Sequence, residues 1–205
     1  MVEPKLFPMF LKLAGRPCLV VGAGVIGESK IASLLEAEAR VRVVAPKATE
    51  QVRAWTGAKR IDWLAREFEA EDLRGMFLVV AATSSTDVHE RIFEEATRRG
   101  VLCNIVDVPP LCDFYYPAVV QRGALQIAVS TGGQSPALAQ RLRKELEEQF
   151  GPEYAAWVVE LGAKREELQA AKLDAEERKR ILHEQASEES FKAFRRKWKE
   201  AKSKA

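Results

Sequence analysis

The chain has 205 residues, a length that suits one mid-sized domain with a smaller appendage. Hydrophobic residues make up 47%, charged residues 30% and the net charge is only +2, which is typical of a soluble globular protein and argues against a nucleic-acid partner. The three cysteines are far apart, so neither a disulfide framework nor a structural zinc site is indicated. The sequence shows no export signal and no membrane-length apolar run, so we expect no membrane partner and a cytoplasmic location.

The first half of the chain alternates predicted strands and helices. An apolar run over 18–21 predicts a buried strand, and apolar residues at helical spacing predict a helix that extends to Ala39. The run over 41–45 predicts a second strand, which Pro46 is expected to end. Further strands are predicted over 61–64, 76–82 and 101–106, and a further helix over 87–99. This alternation predicts an α/β fold with a Rossmann-type, doubly wound parallel sheet.

The sequence pattern changes after Asp107, and we expect a domain boundary near residue 112. Runs over 116–120 and 125–130, joined by Gln121-Arg122-Gly123, predict a hairpin that needs a partner surface to be stable. Ser135 and Pro136 then begin a helix that Gly151-Pro152 ends.

The last part of the chain is dominated by dense charge with spaced apolar residues, which predicts a small helical domain. Its basic end, residues 194–205, is interpreted as a solvated helix end rather than an RNA-binding tail. The expected domains are therefore a Rossmann domain over 1–112, a small α+β domain over 113–151 and a helical domain over 152–205.

A glycine-rich turn, Gly22-Ala23-Gly24-Val25-Ile26-Gly27, has the GxGxxG spacing of dinucleotide-binding units. Gly22 permits the tight bend, Gly24 lets the backbone approach a pyrophosphate, and Gly27 lets helix and strand pack closely. Because the turn follows a strand and opens a helix, we predict that it binds a dinucleotide, the alternative being glycines that serve only the turn.

The residues after the second strand leave the choice of dinucleotide open. An acidic residue that binds the adenosine ribose is expected there, but Val44-Ala45-Pro46-Lys47 stands in its place. Lys47 could attract the 2′-phosphate of NADP, although an exposed loop lysine is usually only solvated.

Two further segments carry candidate functional groups. Asp107 lies at the carboxyl end of a predicted strand, where it is either a proton-transfer group or a turn residue before Pro109. Residues 130–133 offer amides and hydroxyls ahead of a helix, either as an anion cradle or as a helix cap. His89 and His183 are isolated and are interpreted as packing or surface residues, so no metal site is predicted.

Several of these segments together are typical of one family. They are Phe7–Leu11, Cys18–Gly27, Ala81-Ala82-Thr83, Cys103–Asp107 with its Asn-x-x-Asp pattern, Phe114–Ala118 and Ser130–Pro136. In this combination the chain resembles the precorrin-2 dehydrogenase/sirohydrochlorin ferrochelatase family, from about Lys5 to about Trp157.

The resemblance implies an NAD-dependent oxidation of precorrin-2 to sirohydrochlorin in siroheme biosynthesis, on a homodimer whose middle domains interlock. It implies that Asp107 handles a proton and, in members that also insert ferrous iron, takes part in that insertion. The expected cofactor-binding residues are Gly22, Gly24, Val25, Ile26, Gly27, Pro46, Lys47, Ala82 and Thr83. The expected substrate-binding residues are Asn104, Ser130, Thr131, Gly132 and Gly133. Nearby basic residues would suit the substrate carboxylates: Arg122, Arg141, Arg143 and Lys144.

The chain departs from the family pattern at Thr83-Ser84-Ser85, where acidic residues are frequent, and at His89, where asparagine is frequent. It also lacks the methyltransferase module of some relatives, so the preceding methylation is expected from another protein. One alternative function is an NAD-binding regulatory module without catalytic activity, which would usually keep the ribose-binding acid. A second is a reductase of small carbonyl compounds, which would show a Tyr/Lys or His pair.

Overall fold

A computed structural model of the chain describes residues 5–203. The chain divides between Tyr115 and Tyr116 into two compact units. Residues 1–4, which begin the predicted first domain, and residues 204–205, which end the predicted basic tail, lie outside the described residues. No helix among the described residues combines the length and the apolarity that a bilayer span requires.

The first unit contains a five-stranded parallel sheet with helices on both faces. Its strands β1 to β5 are Pro17–Ala23, Arg40–Ala48, Ile61–Leu64, Leu78–Ala81 and Leu102–Ile105, and its helices α1 to α3 are Val25–Glu36, Glu50–Gly57 and Thr86–Arg99. The spatial strand order is β3-β2-β1-β4-β5, and every neighbouring pair is parallel. The predicted strands at 76–82 and 101–106 run slightly beyond the observed β4 and β5.

Two hydrophobic clusters, one on each face of the sheet, form the core of this unit. In one cluster Val43 packs with Ile31 of α1 and with Val52 of α2. In the other cluster Val79 packs with Ile92 of α3. Burial on both faces explains why the strands are almost continuously apolar rather than alternating. The predicted doubly wound α/β fold is confirmed.

Strand β2 corrects one predicted boundary, because the prediction that Pro46 ends it is wrong. The strand continues to Ala48, since the register with β1 shifts around Gly22 and Ala48 then pairs with Ala23. Proline is tolerated at such an irregularity because no ladder hydrogen bond is lost.

Helix α2 has no counterpart among the predicted elements. The Thr49 side chain accepts a hydrogen bond from the Val52 amide and so caps the helix. Val52 is the one buried residue of this short helix, which leaves no apolar periodicity for the sequence to show.

The second unit combines a hairpin with four helices. Its strands β6 and β7 are Ala118–Arg122 and Leu125–Val129, and its helices α4 to α7 are Pro136–Gln149, Glu153–Ala170, Ala175–Gln185 and Glu188–Lys202. The hairpin turns at Gly123-Ala124, whereas Gln121 and Arg122, predicted as turn residues, belong to β6. Helix α5 packs against this turn, because a Cβ at Gly123 would lie 3.1 Å from the Ala155 Cβ.

Candidate functional site

An open cleft of about 520 Å³ lies at the carboxyl end of the sheet in the first unit. The order of the strands reverses between β1 and β4, and open α/β sheets bind ligands at this switch point. The lining residues are Gly22, Ala23, Gly24, Ile26, Ala45, Pro46, Lys47, Ala82, Thr83, Ser84, Val106 and Asp107. Most of the predicted cofactor-binding residues thus surround one cavity. Val25 and Gly27 lie in the same glycine-rich turn but not on the cavity wall.

The N-terminus of α1 opens onto this cleft without a cap from the described part of the chain. Gly24 is the N-cap residue, and no side chain accepts a hydrogen bond from the first-turn amides. Five other helices are each capped by a side chain, from Thr49, Ser85, Ser135, Asp174 and Ser187. Uncapped amides and the positive end of the helix dipole together suit a bound phosphate.

The three glycines of the turn serve different purposes. A Cβ at Gly22 would lie 2.3 Å from the Ala82 carbonyl oxygen, and one at Gly27 would lie 2.1 Å from the Gly22 carbonyl oxygen. Close packing within the chain therefore requires both of these glycines. A Cβ at Gly24 meets nothing within 4 Å, and its φ of −78° and ψ of −171° suit any residue. The open space beside Gly24 therefore fits the close approach of a dinucleotide pyrophosphate.

The end of β2 forms a wall of the cleft that carries no acidic side chain. Ala45 is buried, and its carbonyl oxygen accepts a 2.9 Å hydrogen bond from the Trp63 indole nitrogen. Pro46 and Lys47 are exposed. Of the residues that line the cleft, Asp107 is the one carboxylate.

The loop after β4 forms the opposite wall and is held by a histidine of α3. His89 is 8% exposed, and its Nε2 donates to the Thr83 carbonyl oxygen at 2.7 Å. His89 therefore packs and positions this loop, in accord with its interpretation as a packing residue. Ser84, beside Thr83, also lines the cleft but is absent from the predicted contacts.

Asp107 lies in a turn and also lines the cleft. The Val108 amide donates to the Ile105 carbonyl oxygen at 3.1 Å, which closes a turn with Asp107 at its third position. Its φ of 63° is left-handed, a conformation that favours glycine, asparagine or aspartate. The residue is exposed and lines the cleft, so the turn presents a carboxylate at the proposed site.

Lys30 of α1 is a neighbour of Asp107 that sequence reasoning missed. The Lys30 side chain is half-buried, and burial lowers its pKa, while the negative charge of Asp107 acts in the opposite direction. The two residues are far apart in sequence and come close only because α1 packs on the sheet, so no local pattern could have indicated the pair.

The predicted substrate-binding residues do not line this cleft. Asn104 is 7% exposed, and its amide nitrogen donates to the Phe114 carbonyl oxygen at 2.7 Å. Residues 130–133 belong to the second unit, where the Thr131 hydroxyl accepts from the Ser135 amide at 3.0 Å and the Ser130 hydroxyl from the Gly132 amide at 3.2 Å. Gly132 and Gly133 have φ values of 63° and 87°. These contacts build a turn that leads into α4.

Several of the basic residues proposed for substrate carboxylates have partners within the second unit. Arg122 donates to the carbonyl oxygens of Phe150 at 2.8 Å and Glu147 at 3.1 Å, which closes the end of α4. Arg143 forms an ion pair with Glu147 at 2.5 Å. The role of Arg122 is therefore structural in this conformation.

No group of three or more His, Cys, Asp or Glu side chains among residues 5–203 is arranged to hold a metal ion.

Comparison with known proteins supports the dinucleotide assignment. A family model for NAD(P)-binding proteins matches residues 9–118, more than half of the chain. The chain belongs to this NAD(P)-binding family. A second family model, for the central part of sirohaem biosynthesis proteins, matches residues 122–149. The predicted NAD cofactor and the predicted resemblance to siroheme-biosynthesis proteins are thus confirmed.

Siroheme synthases are among the proteins similar to this chain. The chain is 44% identical over 141 residues to the siroheme synthase of Mannheimia succiniciproducens, which covers 69% of this chain and 30% of that protein. It is 38% identical over 179 residues to that of a Neisseria meningitidis serogroup C strain, covering 87% and 37%. The chain therefore spans about a third of the length of these relatives.

A solved structure resembles the chain over almost all of its length. It is "SirC, precorrin-2 dehydrogenase", which is 26% identical with a TM-score of 0.79, and the match covers 89% of this chain and 90% of that one.

Proposed function

We propose that the protein is an NAD-dependent dehydrogenase that oxidises precorrin-2 to sirohydrochlorin in siroheme biosynthesis. The observation that carries this proposal is the cleft at the switch point of the sheet. It has the uncapped N-terminus of α1 on one side and the exposed Asp107 carboxylate on another. The match to a precorrin-2 dehydrogenase along nearly the whole chain supports the same substrate.

In this proposal the backbone at the start of α1 binds the cofactor, and the Asp107 side chain transfers a proton. The first-turn amides of α1 bind the pyrophosphate, and the open backbone at Gly24 lets it approach. When bound, NAD supplies the hydride acceptor. Oxidation of the substrate releases a hydride and a proton, and the Asp107 carboxylate accepts the proton. Ile26 and Val106 provide apolar surface on the cleft wall.

The activity is tested by mixing the purified protein with NAD and precorrin-2. We expect NADH and sirohydrochlorin to appear together in equal amounts. The Asp107→Asn variant keeps the turn, because asparagine tolerates a positive φ, but it loses the basic carboxylate. We expect its kcat to fall by about a hundredfold or more with NAD affinity unchanged.

Absence of turnover by folded protein that binds NAD would favour the alternative, a regulatory NAD-binding module without catalytic activity. Wild-type kcat in Asp107→Asn would restrict Asp107 to its role in the turn. Replacing NAD with NADP tests Lys47, because a preference for NADP that is lost in Lys47→Ala would assign the 2′-phosphate to that side chain.

Ferrous iron insertion into sirohydrochlorin is a second candidate activity for the same cleft. The exposed Asp107 carboxylate favours it, because metal insertion requires a base that removes protons from the macrocycle nitrogens. We expect the protein to accelerate siroheme formation from sirohydrochlorin and ferrous iron, and Asp107→Asn to abolish the acceleration. Equal rates with and without protein would leave the dehydrogenase as the single activity.

We further propose that the protein is a homodimer that pairs through the hairpin of β6 and β7. A two-stranded sheet is marginally stable by itself, and the apolar side chain of Val119 on β6 is 37% exposed. We expect the mass of a dimer in sedimentation equilibrium, and a shift toward the monomer in Val119→Lys. A monomeric wild-type protein at micromolar concentration would contradict the proposal.

A cytoplasmic location is proposed from the cysteines. Cys18, Cys103 and Cys112 are all free thiols, as expected in a reducing compartment. Cell fractionation with detection of the protein checks this, and recovery in a membrane or exported fraction would contradict it.

A further inference from the structure

The segment that follows β5 turns back and runs beside the strand that it has just left. Asn104 forms an antiparallel bridge with Cys112. The Asp113 amide donates to the Cys103 carbonyl oxygen at 2.8 Å, and the Cys103 amide donates to the Asp113 carboxylate at 2.8 Å. The Asn104 side chain adds a 2.7 Å bond to the Phe114 carbonyl oxygen. The returning segment is thus fastened to the edge strand of the sheet.

The loop between β5 and the returning segment carries Asp107. Its turn is closed by the Val108 amide, and the Cys112 thiol donates to the carbonyl oxygens of Ile105 at 3.2 Å and Val108 at 3.3 Å. The left-handed backbone of Asp107 costs free energy, so it persists only where neighbouring contacts hold it. The contacts of the Cys112 thiol are among these, and Cys112 lies in the returning segment, outside the cleft wall.

We propose that Asp113 and Asn104 are positioning residues that hold the Asp107 carboxylate at the cleft, and this inference rests on the proposed dehydrogenase function. Neither side chain lines the cleft, so both act through the loop. Without the hydrogen bonds of Asp113 and Asn104, the returning segment no longer holds the loop in one conformation. A displacement of about 1 Å at a reacting group can cost about a hundredfold in rate. The resemblance implies that Asn104 contacts substrate. In this proposal Asn104 instead acts on Asp107 indirectly, through its hydrogen bond to Phe114 of the returning segment.

The test compares three variants with the wild-type dehydrogenase. Asp113→Ala removes the acceptor for the Cys103 amide, and we expect kcat to fall between about tenfold and a hundredfold with the NAD dissociation constant unchanged. Asp113→Asn keeps an acceptor oxygen and should recover most of the lost rate. Asp62→Ala is the matched control, because it removes a 2.9 Å bond to Arg42 at the opposite edge strand of the same sheet, and it should retain wild-type kcat.

A double-mutant cycle distinguishes positioning from general damage. In the Asp107→Asn background Asp113→Ala should reduce kcat no further, because the group that it positions is already gone. Additive losses, or a wild-type kcat in folded Asp113→Ala, would overturn the proposal. Asn104→Ala, if it folds, should behave as Asp113→Ala does.

Hydrogen exchange tests the same proposal without any turnover. Asp113→Ala should speed exchange of the Val108 amide, which closes the turn, while amides in β1 keep their protection. Unchanged exchange at Val108 would refute the positioning role whatever the activity. If Asp113→Ala shows this change in exchange but the wild-type protein does not oxidise precorrin-2, the proposed function is refuted instead.

Discussion

Asp107 occupies a backbone conformation that glycine would adopt more easily. Its φ of 63° places it in the left-handed region, which costs most residues about 1–2 kcal/mol and aspartate somewhat less. A stable turn does not need a carboxylate at this position, because glycine adopts the same φ without steric cost.

We therefore expect Asp107→Gly to unfold in urea with a free energy equal to that of the wild type, or greater by up to about 1 kcal/mol. Its turnover of precorrin-2 should nevertheless be lost. Asp107→Val, which brings a β-branched side chain to the same φ, should lose more than about 1 kcal/mol of stability. A large destabilisation in Asp107→Gly would show that the carboxylate itself holds the turn.

The buried thiols give the folding stability a dependence on alkaline pH. Burial raises the pKa of Cys18 from 9.0 to about 11. Burial, with the nearby charges of Asp113 and Cys112, raises that of Cys103 to about 12. Above pH 9 the unfolded chain loses these protons while the folded protein keeps them, so the free energy of unfolding falls as pH rises.

We expect the melting temperature to fall progressively between about pH 9 and pH 11, and Cys18→Ala to show a shallower fall. Val20→Ala is the matched control, because Val20 is equally buried in the same strand but does not titrate. It should lower the melting temperature at every pH without changing the slope. Equal slopes in both variants would show that Cys18 titrates normally in the folded state.

At the scale of the elements, the turn between β1 and α1 separates the needs of folding from those of binding. Gly27 allows α1 to approach the end of β1, whereas the space beside Gly24 is open. A substitution at each position should therefore affect different quantities.

We expect Gly24→Ser to leave the free energy of unfolding unchanged or to raise it by a few tenths of a kcal/mol, because serine can cap α1. It should weaken NAD binding by about tenfold or more, because the capping hydroxyl occupies amides that otherwise bind phosphate. Gly27→Ala should lower the stability by about 1–3 kcal/mol, because its Cβ meets backbone. Urea unfolding and calorimetric titration with NAD measure both effects, and unchanged NAD affinity in Gly24→Ser would argue against phosphate binding there.

The sequence predicted the parts of this fold that depend on local pattern. Apolar runs located the five sheet strands, and the spacing of glycines located the turn into α1. The sequence could not indicate that β2 passes through Pro46, because that depends on the shifted register with β1. The sequence also predicted a ligand site at the carboxyl edge of the sheet. It could not indicate the hydrogen bond from His89 to Thr83 or the proximity of Lys30 to Asp107, since tertiary packing alone brings these helix residues beside the loops.

On the scale of the whole molecule, the chain divides into two units with separate cores. Both sheet-face clusters lie in the first unit. The second unit has its own aromatic cluster, in which the ring of Tyr154 lies 4.3 Å from that of Phe191 and 5.7 Å from that of Trp157. Helix α5 also packs on the hairpin of this unit. The predicted boundary between a domain over 113–151 and one over 152–205 stays a prediction.

Separate cores, with the dinucleotide site in one of them, predict an uneven response to NAD. Calorimetry of the full chain should resolve two transitions, because each unit buries its own apolar surface. NAD at a hundred times its dissociation constant stabilises the unit that binds it by about 2.7 kcal/mol, so we expect one transition to move to higher temperature and the other to stay. In Gly24→Ser, a roughly tenfold weaker NAD affinity should reduce this stabilisation to about 1.4 kcal/mol at the same NAD concentration, so the transition should move by about half as much. A single transition would mean that the two units unfold as one cooperative body. An equal shift of two separate transitions would mean that NAD stabilises the hairpin and helices as strongly as the sheet.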